Sequence, residues 1–335
     1  MNPKVSVIIP CRNEQATIAG VLGAISKQTF PIDQLEVIIA DGCSSDGTRE
    51  TIDQYSQENP APAIKVIENS KQTIPAALNS AIRISKGNII LRLDAHAFPS
   101  PNYIKTSVEI LENGKGDIVG GVWQIKPGSS TWIAQSIAHA AANRLGVGDA
   151  LYRYTQKAGS VDTVPFGAFY KNLVDKIGNF DESLLTNEDY EFNARIRKMG
   201  GIVWLDPKIK SEYIARSNLR ELARQYWRYG YWKNRMLRRY PGTLKLRQAL
   251  PPIFVLTVFL LILLSFGSEY AQLILALEVG LYLFALIIAS VPAVIDNKDM
   301  KLLIGIPLAI ATMHFSWGLG FLSGFVSPVK STRKQ

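Results

Sequence analysis

Apolar residues follow two rhythms over the first two thirds of the chain. Short β-branched runs read as buried strands: Val5-Ser6-Val7-Ile8-Ile9-Pro10, Val37-Ile38-Ile39-Ala40, and residues 64–67, 89–93 and 118–119. Between them the apolar positions take helical spacing, as at Ile18, Val21, Leu22 and Ile25, which predicts helices near 14–27, 49–57, 74–85 and 103–112. Ser45 or Asp46 is the expected N-cap of the second helix. Strands alternating with helices predict an α/β domain with a mostly parallel, Rossmann-like sheet covered on both faces. Beyond Leu250 the pattern changes to long apolar blocks at 250–266, 273–295 and 302–326. Each is near the roughly 20 residues that cross about 30 Å of hydrocarbon, so three transmembrane helices are expected, the first of them short. The chain thus divides into a soluble domain at 1–215, a linking region at 216–249 and a membrane region at 250–335.

The linking region changes the picture through its charge. Arg216, Arg220, Arg224 and Arg228 recur every fourth residue, an expected helical stripe interleaved with Tyr226, Trp227, Tyr229, Tyr231 and Trp232. With a net charge of +9, such a stripe fits an interfacial helix on anionic headgroups. The membrane blocks that follow argue against nucleic acid as its partner. Lys245 and Arg247 place the start of the first block on the cytoplasmic side, yet three crossings would put Lys330, Arg333 and Lys334 outside, against the usual bias. Glu278 lies inside the second block, where an acid costs about 2.5–3.5 kcal/mol on insertion scales and is expected to face protein or an acceptor path. Cys11 and Cys43 lack ligand-like spacing and read as reduced thiols. The apolar run after Met1-Asn2-Pro3-Lys4 is too short for a signal peptide, so the soluble domain is expected in the cytoplasm.

Polar groups gather where the strands end. Ile89-Ile90-Leu91-Arg92-Leu93-Asp94-Ala95-His96 reads as a buried strand delivering Asp94 and His96 to its carboxyl end, where open α/β sheets bind ligands. Asp41 ends the second strand and Glu14 follows the first, so three acids are expected on one rim, a costly gathering unless a cation or a hydroxyl-rich ligand satisfies it. No G-x-G-x-x-G follows the first strand, which argues against a dinucleotide. Lys71, between a strand and a helix, is a candidate phosphate contact or a solvent-facing lysine, and its position fits both equally. Residues 121–164, with Trp123, Trp132 and His139, are expected to supply a loop and helix on the acceptor side, His139 being structural.

Val7-Ile8-Ile9-Pro10-Cys11-Arg12-Asn13-Glu14, Asp41-Gly42-Cys43-Ser44-Ser45-Asp46-Gly47-Thr48 and Leu93-Asp94-Ala95-His96 resemble, in that order, successive motifs of family 2 glycosyltransferases of the GT-A fold. The likeness continues through Phe166-Gly167-Ala168-Phe169-Tyr170, Ile177-Gly178-Asn179-Phe180-Asp181-Glu182, Asn187-Glu188-Asp189-Tyr190-Glu191 and Gly200-Gly201-Ile202-Val203-Trp204, covering roughly residues 4–240. It is strongest to membrane-anchored bacterial enzymes of the succinoglycan glucosyltransferase kind, which also resemble this chain in having His96 where most relatives carry the last acid of D-x-D. The resemblance implies donor contacts from Pro10, Arg12, Glu14 (ribose), Asp41 (base), Lys71 and Asp94, and a divalent metal on Asp94 and His96. An imidazole suits Mn²⁺ better than Mg²⁺. Asp189, beside Glu188, is implied as catalytic base, consistent with the carboxylate that inverting transfer needs to take the acceptor's proton. Acids in a first helical turn also favour the macrodipole, but the ordered motifs outweigh that reading. Gln225-Tyr226-Trp227-Arg228-Tyr229 resembles the Q-x-x-R-W segment of processive relatives, which marks Arg224, Gln225, Trp227 and Arg228 as acceptor contacts. The implied activity is inverting transfer, UDP-glucose being the expected donor, to a lipid-linked saccharide at the inner face of a bacterial plasma membrane, for exopolysaccharide or a related glycan. A polyprenyl-phosphate sugar synthase, or a membrane scaffold with a degenerate nucleotide site, are the alternatives.

Overall fold

The computed structural model describes residues 3–326. In chain order the elements are β1 (Val5–Cys11), α1 (Ile18–Ser26), β2 (Leu35–Asp41), α2 (Thr48–Glu58), β3 (Ala63–Glu68), α3 (Ile74–Ile84), β4 (Ile89–Arg92), β5 (Phe98–Pro99), α4 (Tyr103–Glu112), β6 (Ile118–Lys126), α5 (Trp132–Ala142), α6 (Arg144–Val147), β7 (Gly159–Ser160), β8 (Ala168–Tyr170), α7 (Leu173–Ile177), α8 (Glu188–Lys198), β9 (Val203–Ile214), α9 (Leu219–Arg239), α10 (Leu246–Ser265), α11 (Glu269–Asn297) and α12 (Leu302–Val326). They form two compact units. One runs to Gln124 and resumes over Leu151–Tyr213; the other comprises Ile125–Ala150 and the chain from Ile214 onward. The segment after Gln124 therefore belongs with the C-terminal helices rather than with a contiguous domain ending at 215.

The first unit is built on a sheet of order β3-β2-β1-β4-β8-β6-β9-β5, with β7 on β9. The β-branched runs β1, β2, β3 and β4 pair in parallel, Ile8 opposite both Ile38 and Arg92. Ala168–Tyr170 enters between β4 and β6 antiparallel to both, and β5 and β7 pair antiparallel with β9, so the sheet is mixed. One apolar layer, with Val7, Ile9, Val37, Ile39 and Leu91, packs on α1 and α4; the other, with Ile8, Ile38, Ile90 and Phe169, packs on α3 and α8. Alternate residues of one strand supply the two layers, as the strand period requires. The cap of α2 falls on Gly47 at φ 88°, one residue later than expected, while Asp46 Oδ1 still accepts from the Thr48 amide at 3.1 Å.

In the second unit α9 begins later than the arginine periodicity predicts. Asn218 caps it by accepting from the Glu221 amide at 2.9 Å, so Arg216 stands before the helix and the stripe reduces to Arg220, Arg224 and Arg228, all exposed. Helices α10, α11 and α12 are each long and apolar enough to cross a membrane. The first starts at Leu246, earlier than its apolar block, and Pro251 and Pro252 are carried within it.

Candidate active site

The carboxyl ends of β1, β2 and β4 and the start of α3 enclose a cleft whose walls include Pro10, Arg12, Glu14, Thr73, Asp94 and His96. Its floor is tied by two loops. The Asn13 amide donates to Ser44 Oγ at 2.8 Å, the Ser45 amide to Asn13 Oδ1 at 2.9 Å and the Glu14 amide to Thr48 Oγ1 at 2.8 Å. The motif around Asp41 therefore works first as a clamp on the motif around Glu14. Asp41 itself is fully buried and both its oxygens are taken, Oδ1 by Ser44 Oγ at 2.5 Å and Oδ2 by Arg49 Nε at 2.6 Å. Its side chain does not line the cleft, whereas Gly42 next to it does. Cys11, beside it, is pushed up to about 12 by burial and then by Glu14, Asp41 and Asp46, so its thiol stays protonated.

Glu14, expected at the ribose, has other partners. Its Oε1 lies 2.8 Å from His96 Nδ1 and its Oε2 accepts from Thr17 Oγ1 at 2.8 Å. A carboxylate can only accept, so Nδ1 donates to it, and in the neutral ring this leaves the lone pair on Nε2, the carboxylate–histidine arrangement that orients a metal ligand. Lys71 is also turned elsewhere: it is exposed, with Nζ 2.6 Å from Glu182 Oε2.

At the rim of β4 the structure adds a residue that the sequence reading passed over. Arg92, almost fully buried, holds three carboxylates: Asp94 Oδ1 through Nη2 at 2.9 Å and Nε at 3.1 Å, Glu188 Oε1 at 3.0 Å, and Asp189 Oδ1 through Nη1 in a short contact. Burial disfavours the guanidinium charge, but Asp189, Asp94 and Glu188 together raise its pKa above the ordinary value. The signal was in plain view, since a cation within Ile89-Ile90-Leu91-Arg92-Leu93 is buried if the strand is, and a buried charge must be paired. Glu188 and Asp189 open α8 behind Asn187, whose φ of 69° turns the chain sharply into the helix. Glu188 is enclosed, whereas about a quarter of the Asp189 side chain (26%) remains open. Burial pushes Asp189 up to about 7, against the pull of Arg92 and with Glu188 and Asp94 adding to the rise. A carboxylate so poised accepts protons near neutrality, which is the property a general base requires.

The cleft fits a metal shared with a ligand. Among the described residues no three His, Cys, Asp or Glu side chains could hold an ion by themselves. Asp94 meets Arg92 through Oδ1 alone in both bonds and lines the cleft with His96. One carboxylate oxygen and one imidazole suit a cation whose remaining ligands are phosphate oxygens. Thr73 supports a polar occupant: it is the N-cap of α3, yet its hydroxyl makes no cap bond and, though buried, has no hydrogen-bond partner among the described residues. Of the residues singled out as acceptor contacts, Gln225 donates to Tyr229 Oη at 2.9 Å, Trp227 stacks on Tyr231 at 5.2 Å, and Arg224 and Arg228 are exposed on α9.

Residues 6–178 match the family described as Glycosyl transferase family 2. The chain is 26% identical over 329 residues, 96% of its own length and 97% of the other's, to the dolichyl N-acetyl-alpha-D-glucosaminyl phosphate 3-beta-D-2,3-diacetamido-2,3-dideoxy-beta-D-glucuronosyltransferase of Methanococcus voltae. It is 29% identical over 248 residues, 73% of each chain, to the succinoglycan biosynthesis protein ExoA of Rhizobium meliloti. Its fold is similar to that of the mannosyltransferase PcManGT from Pyrobaculum calidifontis, solved in complex with GDP-Man and Mn²⁺, with a TM-score of 0.66 at 19% identity over 97% of this chain and 88% of that one.

Proposed function

Since the chain belongs to glycosyl transferase family 2, we propose that it transfers a sugar, with inversion, from a nucleoside-diphosphate donor to a lipid-linked saccharide at the cytoplasmic face of a plasma membrane. The observation that carries this reading is the Arg92 hub, which joins Asp94 on the donor cleft to the acids that open α8. Asp94 and His96 would hold a divalent metal, Mn²⁺ in preference to Mg²⁺, against the donor's diphosphate, and when bound it would supply charge neutralisation for the leaving group. Glu14 orients His96. Asp189 takes the proton of the acceptor hydroxyl, and Arg92 holds Asp189 in place without competing for that proton, because a guanidinium only donates.

The relatives' names support the acceptor class: one acts on a dolichyl-phosphate-linked sugar and another belongs to succinoglycan biosynthesis. On α9, Arg224 and Arg228 are proposed to grip the acceptor's phosphates, which guanidinium forks bind bidentately and lysine cannot. The double variant Arg224→Lys, Arg228→Lys should then raise the acceptor KM with membrane association intact; wild-type kinetics would reduce the stripe to a lipid anchor.

The experiment for the whole reading incubates the purified protein, in native membrane lipids, with a panel of labelled nucleotide sugars beginning with UDP-glucose. Label should enter the lipid extract from one donor, vanish with a chelator and return more fully with Mn²⁺ than with Mg²⁺. Full turnover in the chelator would remove the metal. Absence of lipid-soluble product from every donor would remove the proposed acceptor class.

A further inference from the structure

Helix α12 is apolar enough to cross a membrane, yet within its unit it packs unlike α10 and α11. Those two form an antiparallel hairpin: Thr257 Oγ1 donates to Glu278 Oε1 at 2.6 Å, and the Phe254 and Tyr282 rings lie 4.4 Å apart. Toward the turn at Gly267 the hairpin is bare, with Phe259, Leu263, Tyr270, Leu273 and Leu277 all exposed, which is the surface that lipid would cover. Helix α12 meets the opposite half. Trp317 Nε1 donates to the Gln248 carbonyl at 3.1 Å, Phe315 lies 5.6 Å from Phe254, and His314 Nδ1 is 3.0 Å from the Tyr282 hydroxyl. Those contacts fall in the half of the hairpin that adjoins Lys245 and Asn297.

On its other flank α12 pairs in parallel with α9. A Cβ at Gly320 would fall 2.2 Å from the Trp227 carbonyl and one at Gly230 2.1 Å from that of Trp317, so the two helices touch backbone to backbone. Gly324 packs on Asn234, and its carbonyl accepts from Arg238. Helix α9 carries exposed Arg220, Arg224, Arg228, Arg238 and Arg239. Were α12 to traverse hydrocarbon, this pairing would draw the arginines of the last turns of α9 in with it, a costly burial of charge. The outer face of α12 nevertheless presents an apolar stripe, Ile304, Leu308 and Leu319, all exposed.

The geometry points to α12 as an in-plane helix: α10 and α11 alone cross the bilayer, and α12 lies beside α9 across the base of the hairpin, its apolar stripe sunk into the acyl boundary of an anionic lipid surface. The charges agree. Lys245, Arg247, Lys298 and Lys301 then fall on one side, the Phe266-Gly267-Ser268 turn on the other carries no cation, and the tail cations Lys330, Arg333 and Lys334, outside the described residues, would follow on the side of Lys301. The conflict with the positive-inside bias that three crossings create disappears.

The test is cysteine topology mapping on the full chain in a Cys43→Ser background, with a membrane-impermeant maleimide applied to sealed vesicles of each orientation. Ser331→Cys should be labelled from the same side as Arg220→Cys on α9, and Gly267→Cys from the opposite side. Labelling of Ser331→Cys from the Gly267 side would overturn the inference, as would labelling of all three positions from one side. Nitroxides at Leu308→Cys and Leu319→Cys give an independent reading. An in-plane helix puts both at one shallow depth, whereas a crossing helix separates them by about 16 Å, from a rise of about 1.5 Å per residue, and that separation would overturn it.

Discussion

Asp189→Asn should lower turnover by about 10²–10⁴ while leaving the affinity for the nucleotide sugar near that of the wild type. The amide keeps the shape of the carboxylate and one acceptor oxygen for Arg92, which also retains Asp94 and Glu188, so the hub survives. What is lost is the proton acceptor. The neighbouring acid cannot take over readily, because Glu188 is enclosed and bound to Arg92. The wild-type pH profile carries the same assignment. A base whose pKa is raised to about 7 is protonated, and therefore idle, below that value, so kcat/KM should fall about tenfold per unit as pH drops beneath 7 and level off above it. The Asn variant should lack that limb. If it instead loses donor affinity with turnover at saturation unchanged, Asp189 belongs to donor binding.

The second large effect is expected at Arg92. Replacing it with Met leaves Asp94, Glu188 and Asp189 facing one another without the cation that holds them, and breaking a buried ion pair by removing one partner typically costs about 3–5 kcal/mol. A marked fall in the thermal unfolding midpoint of the first unit should accompany loss of activity. Arg92→Lys separates structure from positioning. Its ammonium keeps the charge but cannot reach three carboxylates with a planar fork. The variant should therefore fold, yet lose about 10²-fold in turnover, of the order that a misplacement near 1 Å costs. Wild-type stability and turnover in Arg92→Met would show that the acids are held by something else.

How much of this was legible in sequence follows from the kind of signal each feature leaves. The parallel strands are continuous apolar runs between helical spacings, and β1 to β4 lie within two residues of where those runs predict them. The antiparallel half leaves less trace: Ala168–Tyr170 is a strand of three residues, too short for any periodicity, although it bridges β4 and β6. Asp94 and His96 were readable as groups at a strand end, and the structure brings both to one cleft. Asp41 and Glu14 were readable as acids at matching strand ends, but not their partners. Ser44 follows Asp41 by three residues, Arg49 stands in the first turn of α2 and His96 follows β4, and only the folded chain shows that these partners engage the carboxylates of Asp41 and Glu14. Arg92 was legible on its own, as a single charged residue in an apolar run, but its three partners were not. Arg216 followed the fourfold spacing but lies outside α9, because Asn218 stops the helix first.

The most direct measurement on the central claim is the structure of the lipid-linked product formed by the wild-type protein from an α-configured nucleotide sugar, with the anomeric configuration and attachment site read by NMR after lipid extraction. The expected product carries the new sugar in β-linkage to a hydroxyl of the acceptor's saccharide, as a single displacement assisted by Asp189 requires. A retained α-anomer would contradict inversion by a carboxylate base, and attachment directly to a polyprenyl phosphate would replace the saccharide acceptor with the lipid phosphate itself.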